Sequence, residues 1–278
     1  IQALLSRKEV RGVRFGIAIV RADGETLFAC NERTPLIPAS NQKLITGACA
    51  LLHFGPDHRF ATRVYTRGCI ANGALRGDLV IRGSGAIVFS ARYIDDFDRK
   101  RQVLADQLDA FARRIKNAGI SRIDGRVVID AGAWTDMQGN ARYPAAGSVT
   151  FNENAVEIQV ANGRVRTIPE TVFHFELLVR PGTGRQEKIM ANGRPTDTLR
   201  INTGTDTTDY WRIDTISAED YYRQNIVHAL ESRGIAVTGT VTGRAGHAGE
   251  ALLFELQGIP VSDYIHRMLT DSDNAVSY

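Results

Sequence analysis

Lysine is scarce in this chain of 278 residues, although arginine is abundant. The five lysines are Lys8, Lys43, Lys100, Lys116 and Lys188. Cysteine is rarer still, and the three cysteines are Cys30, Cys49 and Cys69. An odd number of cysteines in no recognisable pairing pattern indicates neither a disulfide framework nor a redox compartment.

Features that would assign several other functions are also missing. No apolar run is long enough to cross a bilayer, which takes about 20 residues. The histidines form no Cys/His cluster and no His-Glu-x-x-His spacing, so we expect no metal and no other cofactor. The formal net charge is only +3, so we interpret the basic runs at 99–101 and 113–114 as a solvated helix face and expect no nucleic-acid partner. The chain starts without a charged and apolar leader, and we expect any export signal to have been removed or left out of this sequence.

Ser40 stands three residues before Lys43, where an apolar helix is predicted to begin. The helix is predicted from residues that recur at helical spacing, namely Leu44, Ile45, Ala48, Leu51 and Leu52. Residues three apart share a helix face, so the Lys43 amine can reach the Ser40 hydroxyl. A neutral amine activates a serine as a nucleophile, and a helix N-terminus stabilises a developing oxyanion. Chance Ser-x-x-Lys pairs are common, but no other lysine here has a serine three positions before it.

A second motif, Ser272-Asp273-Asn274, lies near the end of the sequence. Ser-x-x-Lys followed by Ser-Asp-Asn is the motif pair of the penicillin-recognising serine enzymes, in which Lys-Thr-Gly is the third member. The alternative is an ordinary turn after a helix, since all three residue types favour turns. No Lys-Thr-Gly or Lys-Ser-Gly occurs in the sequence.

Four stretches, at residues 37–46, 54–60, 77–83 and 151–154, follow one another as in a known family. On them the chain resembles the D-alanyl-D-alanine carboxypeptidase/endopeptidase family, the low-molecular-mass class C penicillin-binding proteins. One departure follows Gly83, where the family has a Gly-Asp-Pro-like turn and residues 84–87 read Ser-Gly-Ala-Ile. The resemblance implies an α+β fold, with a β-lactamase/transpeptidase-like domain and inserted, mostly β accessory domains.

The 232 positions between Ser40 and Ser272 are more than a compact single-domain β-lactamase uses. We therefore expect an interrupted transpeptidase-like domain, with its first part at residues 1–60 and its continuation at 250–278. The resemblance implies that the inserted segments form two nested accessory domains, one at 61–83 and 155–249 and the other at 84–154. Because no Lys-Thr-Gly follows Ser272, we expect a truncated chain, with the Ser40 helix and the first hairpin partly uncovered.

Local patterns predict the main elements. Alternating residues on either side of Asp23-Gly24 predict a β-hairpin. Further strands are predicted at 62–66, 78–82, 127–129, 156–160 and 173–179. Helices are predicted around 104–115, 222–233 and 260–269.

The resemblance implies acyl transfer at the terminal D-Ala-D-Ala bond of peptidoglycan stem peptides. Ser40 would attack the carbonyl and Lys43 would take its proton. Ser272 would relay a proton to the leaving group, and Asn274 would hold the substrate amide or orient Lys43. A β-lactam would enter as a substrate mimic and stall as the acyl-enzyme. These partners imply a periplasmic or otherwise extracytoplasmic protein.

Two other functions stay open. A non-catalytic cell-wall-binding or scaffold protein of the same fold is favoured by the missing Lys-Thr-Gly, since loss of one oxyanion donor costs about a hundred- to a thousandfold in turnover. A β-lactamase or esterase on the same scaffold suits the long insertion less well.

Overall fold

A computed structural model describes residues 1–133, 147–162, 164–170, 175–178, 185–191, 194–202, 207–212, 218–243 and 246–273. By their internal contacts these fall into two compact units, Ile1–Ala48 and Cys49–Tyr278. The helices are α1 (Gln2–Leu5), α2 (Gln42–Phe54), α3 (Phe97–Asn117), α4 (Ala218–Ser232) and α5 (Val261–Thr270). The strands are β1 (Ile17–Val20), β2 (Thr26–Cys30), β3 (Arg59–Ala71), β4 (Ala74–Arg82), β5 (Arg122–Asp130), β6 (Ala155–Ala161), β7 (Arg164–Ile168), β8 (Phe175–Leu178), β9 (Arg185–Ala191), β10 (Arg194–Asn202), β11 (Thr207–Arg212), β12 (Ala236–Thr242) and β13 (Glu250–Pro260). Short 3₁₀ turns lie at Lys8–Val10, Ala39–Asn41 and Asn152–Asn154.

The first unit contains the predicted hairpin and the start of the predicted helix. Strands β1 and β2 pair antiparallel around a turn in which Gly24 has a φ of +91°, so the hairpin prediction is confirmed. The 3₁₀ turn Ala39–Asn41 leads directly into α2, as the apolar spacing predicted. The apolar side chains of Leu44 and Ile45 are each 59% exposed.

A five-stranded sheet, in the order β12-β5-β4-β3-β13, organises the second unit. Strand β3 is antiparallel to both β4 and β13, and β5 is parallel to both β4 and β12. Alternate side chains of β4 and β5 are fully buried in the core with those of α3 and α4, among them Leu79, Ile81, Val127 and Ile129. The sheet combines strands from residues 59–82, 122–130 and 236–260, and the predicted domain boundaries stay a prediction.

Two smaller three-stranded sheets complete the described structure. One has the order β11-β6-β7 with antiparallel pairs, and the other has the order β8-β10-β9. Buried residues of β6 and β7, including Val156, Ile158 and Ile168, join the same hydrophobic core. The strands predicted at 156–160 and within 173–179 therefore occur as β6 and β8, although residues 173, 174 and 179 lie outside the described part of the chain.

Charged residues line the face of the large sheet opposite its core-facing residues. Arg82 on β4 contacts Asp130 on β5 at 2.7 Å and Glu250 on β13 at 3.0 Å. Arg67 on β3 also reaches Glu250, at 2.8 Å. These pairs link four adjacent strands. Their side chains are largely buried, so solvent and salt weaken the attraction between the charges less than they would at an exposed site.

The prediction that the basic residues of α3 form a solvated face is wrong for Lys100. Lys100 is only 12% exposed in its side chain and contacts Glu157 on β6 at 2.5 Å. Arg114 is exposed as predicted, although its guanidinium also lies over the Phe254 ring, 4.1 Å from its centroid, and donates a hydrogen bond to the Glu255 carbonyl at 2.7 Å. The sequence run showed the charge of these residues but not the acid and the ring that face them from distant strands.

Candidate active site

Ser40 lies in the middle of the 3₁₀ turn that precedes α2, and Lys43 is the second residue of that helix. Residues three apart are eclipsed in a 3₁₀ turn and adjacent on an α-helix, so this junction places the two residues on one side of the chain. Within residues 1–48, all of which are described, only Lys43 and Gly47 are buried. Lys43 is only 6% exposed, whereas most of the residues around it in the chain are open to solvent.

The residue immediately before Ser40 has an unusual backbone. Ala39 has a φ of +46°, in the left-handed region that residues other than glycine rarely occupy. Such a conformation costs on the order of 1–3 kcal/mol and is concentrated at functional sites. The strain therefore falls on the predicted nucleophile turn.

Ser272 belongs to the second unit and follows the end of α5. Its φ is +53°, in the left-handed region that residues other than glycine rarely occupy. Asp271 before it donates its N–H to the Arg267 carbonyl at 3.1 Å and closes the last helical turn. Asn274, the fourth predicted site residue, lies outside the described residues.

The side chain of Asp273 is held in a buried cluster of charged and aromatic residues. Arg92 contacts its carboxylate at 3.0 Å, and the Tyr93 hydroxyl donates a hydrogen bond to the same oxygen. Arg267 lies over the Tyr93 ring, 4.1 Å from its centroid. The middle residue of the Ser-Asp-Asn motif is thus directed into the protein and is only 7% exposed.

Glu153 connects the arginines of this cluster. Its carboxylate contacts Arg92 at 3.2 Å and Arg267 at 3.3 Å, and it accepts a hydrogen bond from the Ser90 hydroxyl at 2.8 Å. A carboxylate this deeply buried requires such partners, because an unpaired buried charge is strongly unfavourable. We name Arg92, Tyr93, Glu153, Arg267 and Asp273 the Asp273 cluster.

The turn that carries Glu153 is itself strained and tightly bound. Asn152, Glu153 and Asn154 have φ values of +46°, +53° and +54°, and all three are buried. Asn152 donates its N–H to the Phe89 carbonyl at 2.7 Å and accepts the Ala91 N–H at 3.2 Å. Asparagine tolerates the left-handed region better than most residues. The turn therefore clamps the segment from Phe89 to Ala91, which leads into Arg92.

Burial has the largest effect on the ionisation of two members of the cluster, Glu153 and Tyr93. It raises the pKa of Glu153 above its ordinary value, although Arg92, the Ser90 hydroxyl and Arg267 oppose the shift. Burial also raises the pKa of Tyr93 well above its ordinary value, together with the charges of Glu153 and Asp273. The Tyr93 hydroxyl consequently keeps its proton and can donate it in the hydrogen bond to Asp273.

Sequence reasoning missed the role of these residues. Residues 151–154 carry part of the family resemblance, but their sequence pattern does not place Glu153 in the site. The available signal was an acid between two asparagines, a pattern suited to a left-handed turn. Nothing local indicated that Arg92 would meet Asp273, which lies about 180 positions further on.

The loop after Gly83, where the sequence departs from the expected turn, is tied to α5. The Ile87 N–H donates to the Tyr264 hydroxyl at 2.7 Å, and that hydroxyl lies 3.3 Å from the Gly85 carbonyl. Burial raises the pKa of Tyr264 to about 12, which keeps the hydroxyl protonated. The Ser84 hydroxyl also donates to the Ala61 carbonyl at 2.9 Å.

A cavity of about 470 Å³ lies elsewhere in the second unit, lined by residues of α3, α4 and the end of β7.

In the part of the chain that the structure describes, no group of three or more His, Cys, Asp or Glu side chains is arranged to hold a metal ion. The described helices also include none that is both long and apolar enough to cross a membrane. All three cysteines are free thiols.

The described fold is similar to that of a solved penicillin-binding protein. It matches a crystal structure of penicillin binding protein 4 (dacB) from Haemophilus influenzae with a TM-score of 0.69 and 18% identity, over 91% of this chain and 58% of that one. A second structure of that protein, in complex with a novel beta-lactam, matches with a TM-score of 0.65 and 19% identity, over 91% of this chain and 57% of the other.

Sequence comparison assigns the family. The chain belongs to the D-Ala-D-Ala carboxypeptidase 3 (S13) family, whose model matches residues 1–170. It is 30% identical over 139 residues to a D-alanyl-D-alanine carboxypeptidase of Actinomadura sp. strain R39, a match that spans 50% of this chain and 23% of the relative. It is also 30% identical over 132 residues to the carboxypeptidase DacB of Haemophilus influenzae, across 47% of this chain and 25% of that protein. The matched region is thus about a quarter of each curated relative, and the predicted membership and α+β fold are confirmed.

Proposed function

We propose that this chain is part of a serine D-Ala-D-Ala carboxypeptidase or endopeptidase that acts on peptidoglycan stem peptides. The observation that carries the proposal is the family match over residues 1–170, because that range contains the strained turn at Ser40 and the buried Lys43. The S13 family is named for a D-Ala-D-Ala carboxypeptidase, and both curated relatives bear that name.

In the proposed reaction, the Ser40 hydroxyl oxygen attacks the carbonyl carbon of the penultimate D-Ala. Lys43 accepts the hydroxyl proton, and the bond from that carbon to the nitrogen of the terminal D-Ala breaks. Ser272 passes a proton to the departing nitrogen, and Asn274 holds the substrate amide or orients Lys43. Water then hydrolyses the Ser40 ester and releases the shortened peptide.

The same chemistry implies that β-lactams acylate Ser40, because their strained amide replaces the D-Ala-D-Ala bond. The β-lactam complex of the structurally similar Haemophilus protein supports this part of the proposal. A peptidoglycan substrate also implies that the protein acts outside the cytoplasmic membrane, in the periplasm or beyond.

The decisive experiment uses the protein expressed from its complete open reading frame. We expect incubation with benzylpenicillin to add the mass of one penicilloyl group, and peptide digestion to locate it on Ser40. The variant Ser40→Ala should gain no mass, whereas Ser6→Ala, a change in an exposed serine of the same unit, should react as the unaltered protein does. An unaltered protein that stays unmodified and releases no D-Ala from a D-Ala-D-Ala peptide would overturn the proposal.

A further inference from the structure

We propose that Glu153 is a positioning residue for Ser272 and acts through Arg92, Arg267 and Asp273. The inference rests on the proposed function, since it concerns the orientation of the serine that relays a proton there. Glu153 itself contacts neither substrate nor a reacting atom in this scheme.

Ser272 is fixed from both sides. On one side, Asp271 closes the end of α5 through its 3.1 Å hydrogen bond to the Arg267 carbonyl. On the other side, the Asp273 carboxylate is bound by Arg92 and Tyr93 in the buried cluster. The left-handed backbone of Ser272 joins these two anchors, so its hydroxyl direction depends on where Asp273 is held.

Glu153 determines where Asp273 is held. One oxygen of its carboxylate contacts Arg92, which grips Asp273, and the other contacts Arg267, which carries the carbonyl that closes α5. One buried carboxylate therefore aligns both anchors of Ser272. Its own position is set by the left-handed turn that clamps residues 89–91.

A purely stabilising role explains this arrangement poorly. A buried ion cluster contributes little net stability compared with apolar packing of similar volume, because the charges lose their hydration. Three consecutive left-handed residues add further cost. What such a cluster does provide is a fixed orientation of its members, and misplacement of a reacting group by about 1 Å can slow a reaction by about a hundredfold.

The test compares two buried carboxylates that each bridge two arginines. Glu153→Gln removes the charge between Arg92 and Arg267, and the control Glu250→Gln removes the charge between Arg67 and Arg82 on the large sheet. Both are to be made in the protein expressed from its complete open reading frame. Stopped-flow or quenched-flow acylation with a fluorescent penicillin gives the burst amplitude, which reports the folded fraction, and the saturating rate constant, which reports the geometry of the site.

We expect Glu153→Gln to lower the saturating acylation rate constant about 10- to 100-fold, with a smaller change in the apparent dissociation constant. Glu250→Gln should reduce thermal stability and burst amplitude while it leaves the rate constant unchanged. Tyr93→Phe keeps the ring beneath Arg267 but loses the hydrogen bond to Asp273. We expect it to lower the acylation rate constant severalfold. This variant tests the proposal even if Glu153→Gln does not fold.

The outcomes separate the two proposals. If the unaltered protein is not acylated at Ser40, the proposed function fails and the positioning role fails with it. If the unaltered protein is acylated and Glu153→Gln and Tyr93→Phe keep its rate constant, the function stands and the positioning role is wrong. The role is equally wrong if Glu250→Gln lowers the rate constant as much as Glu153→Gln does.

Discussion

The carboxylate of Asp78 on β4 accepts hydrogen bonds from both the backbone N–H of Arg126 on β5, at 2.9 Å, and the guanidinium of the same residue, at 3.0 Å. Burial alone would raise the pKa of Asp78, but the hydrogen bonds and charge of Arg126, with Arg67 nearby, outweigh it and lower that pKa. A carboxyl whose pKa is lowered by folding stabilises the folded state above its unfolded pKa, and this contribution is lost as the pH falls through the folded pKa.

Asp78→Asn should therefore reduce the free energy of unfolding at pH 7 by about 1 kcal/mol, a modest value because the partner guanidinium is mostly exposed to solvent. The difference between variant and unaltered protein should shrink below the usual aspartate pKa of 3.8. Urea unfolding at a series of pH values from 7 to 3 measures it. A difference that grew at low pH would contradict the assignment.

Substitutions at Ser272 can separate its hydroxyl from its backbone. Ser272→Gly and Ser272→Ala both remove the hydroxyl, so both should lose most acylation of Ser40 if Ser272 relays a proton. Because the φ here is +53°, glycine should give a protein more stable than alanine by about 0.5–1 kcal/mol. Urea unfolding and penicillin acylation rates test the two expectations separately. A Ser272→Gly protein that is acylated at the unaltered rate would exclude the hydroxyl from the reaction.

Gly77 faces Gly68 across the β3–β4 pair, where the strands approach too closely for side chains. A Cβ on Gly77 would lie 1.8 Å from the Arg67 carbonyl oxygen. We expect Gly77→Ala to reduce the free energy of unfolding by at least about 2 kcal/mol. Gly246→Ala is the matched control, since a Cβ there meets no atom within 4 Å, and it should change stability by less than about 0.5 kcal/mol. Equal stabilities for the two variants would refute the close approach.

Lys100 and Glu157 form a buried ion pair, so the effect on stability of changing one residue should depend on whether the other is also changed. Lys100→Met removes the cation that contacts the buried Glu157 carboxylate and should cost about 3 kcal/mol at pH 7. Burial already raises the pKa of Glu157, against the opposing effect of Lys100, and the loss of the lysine should raise it further. The cost should therefore increase as the pH rises through that pKa.

The double variant Lys100→Met/Glu157→Gln provides the control for this pair. It should recover much of the lost stability and remove the added pH dependence, since no unpaired charge is left. Thermal unfolding of the three variants and the unaltered protein between pH 4 and pH 8 makes the comparison. A double variant no more stable than Lys100→Met would show that the ion pair is not the cause.

Elements set by local spacing could be predicted from the sequence. The α2 helix and the β1–β2 hairpin follow from apolar periodicity and from the Asp23-Gly24 turn, and both occur as expected. Ser40 likewise stands at the start of a helix, because a proline precedes it and helical spacing follows it.

Interactions between distant residues could not be predicted in this way. The basic run at Lys100 looked solvated because the acid that buries it stands 57 positions away. Tyr93 and Asp273, which form a hydrogen bond, are 180 positions apart in the sequence. The turn that carries Glu153 beside them depends on the left-handed backbone of residues 152–154. The periodicity of a helix or strand predicts which of its faces is buried. It does not predict which charged residue of another element will contact that face.

The bridge from Arg82 to Glu250 spans 168 positions of the chain, and β13 covers the edge of β3. A ribosome that adds about 5–20 residues per second needs roughly 10–30 s to synthesise that interval. During this time β3 has its neighbour β4 but no strand on its other side, and Arg82 has no Glu250 to bind. A nascent chain of this protein therefore exposes an open strand edge before it can close the sheet, and this interval is when a chaperone or a second chain has access to that edge.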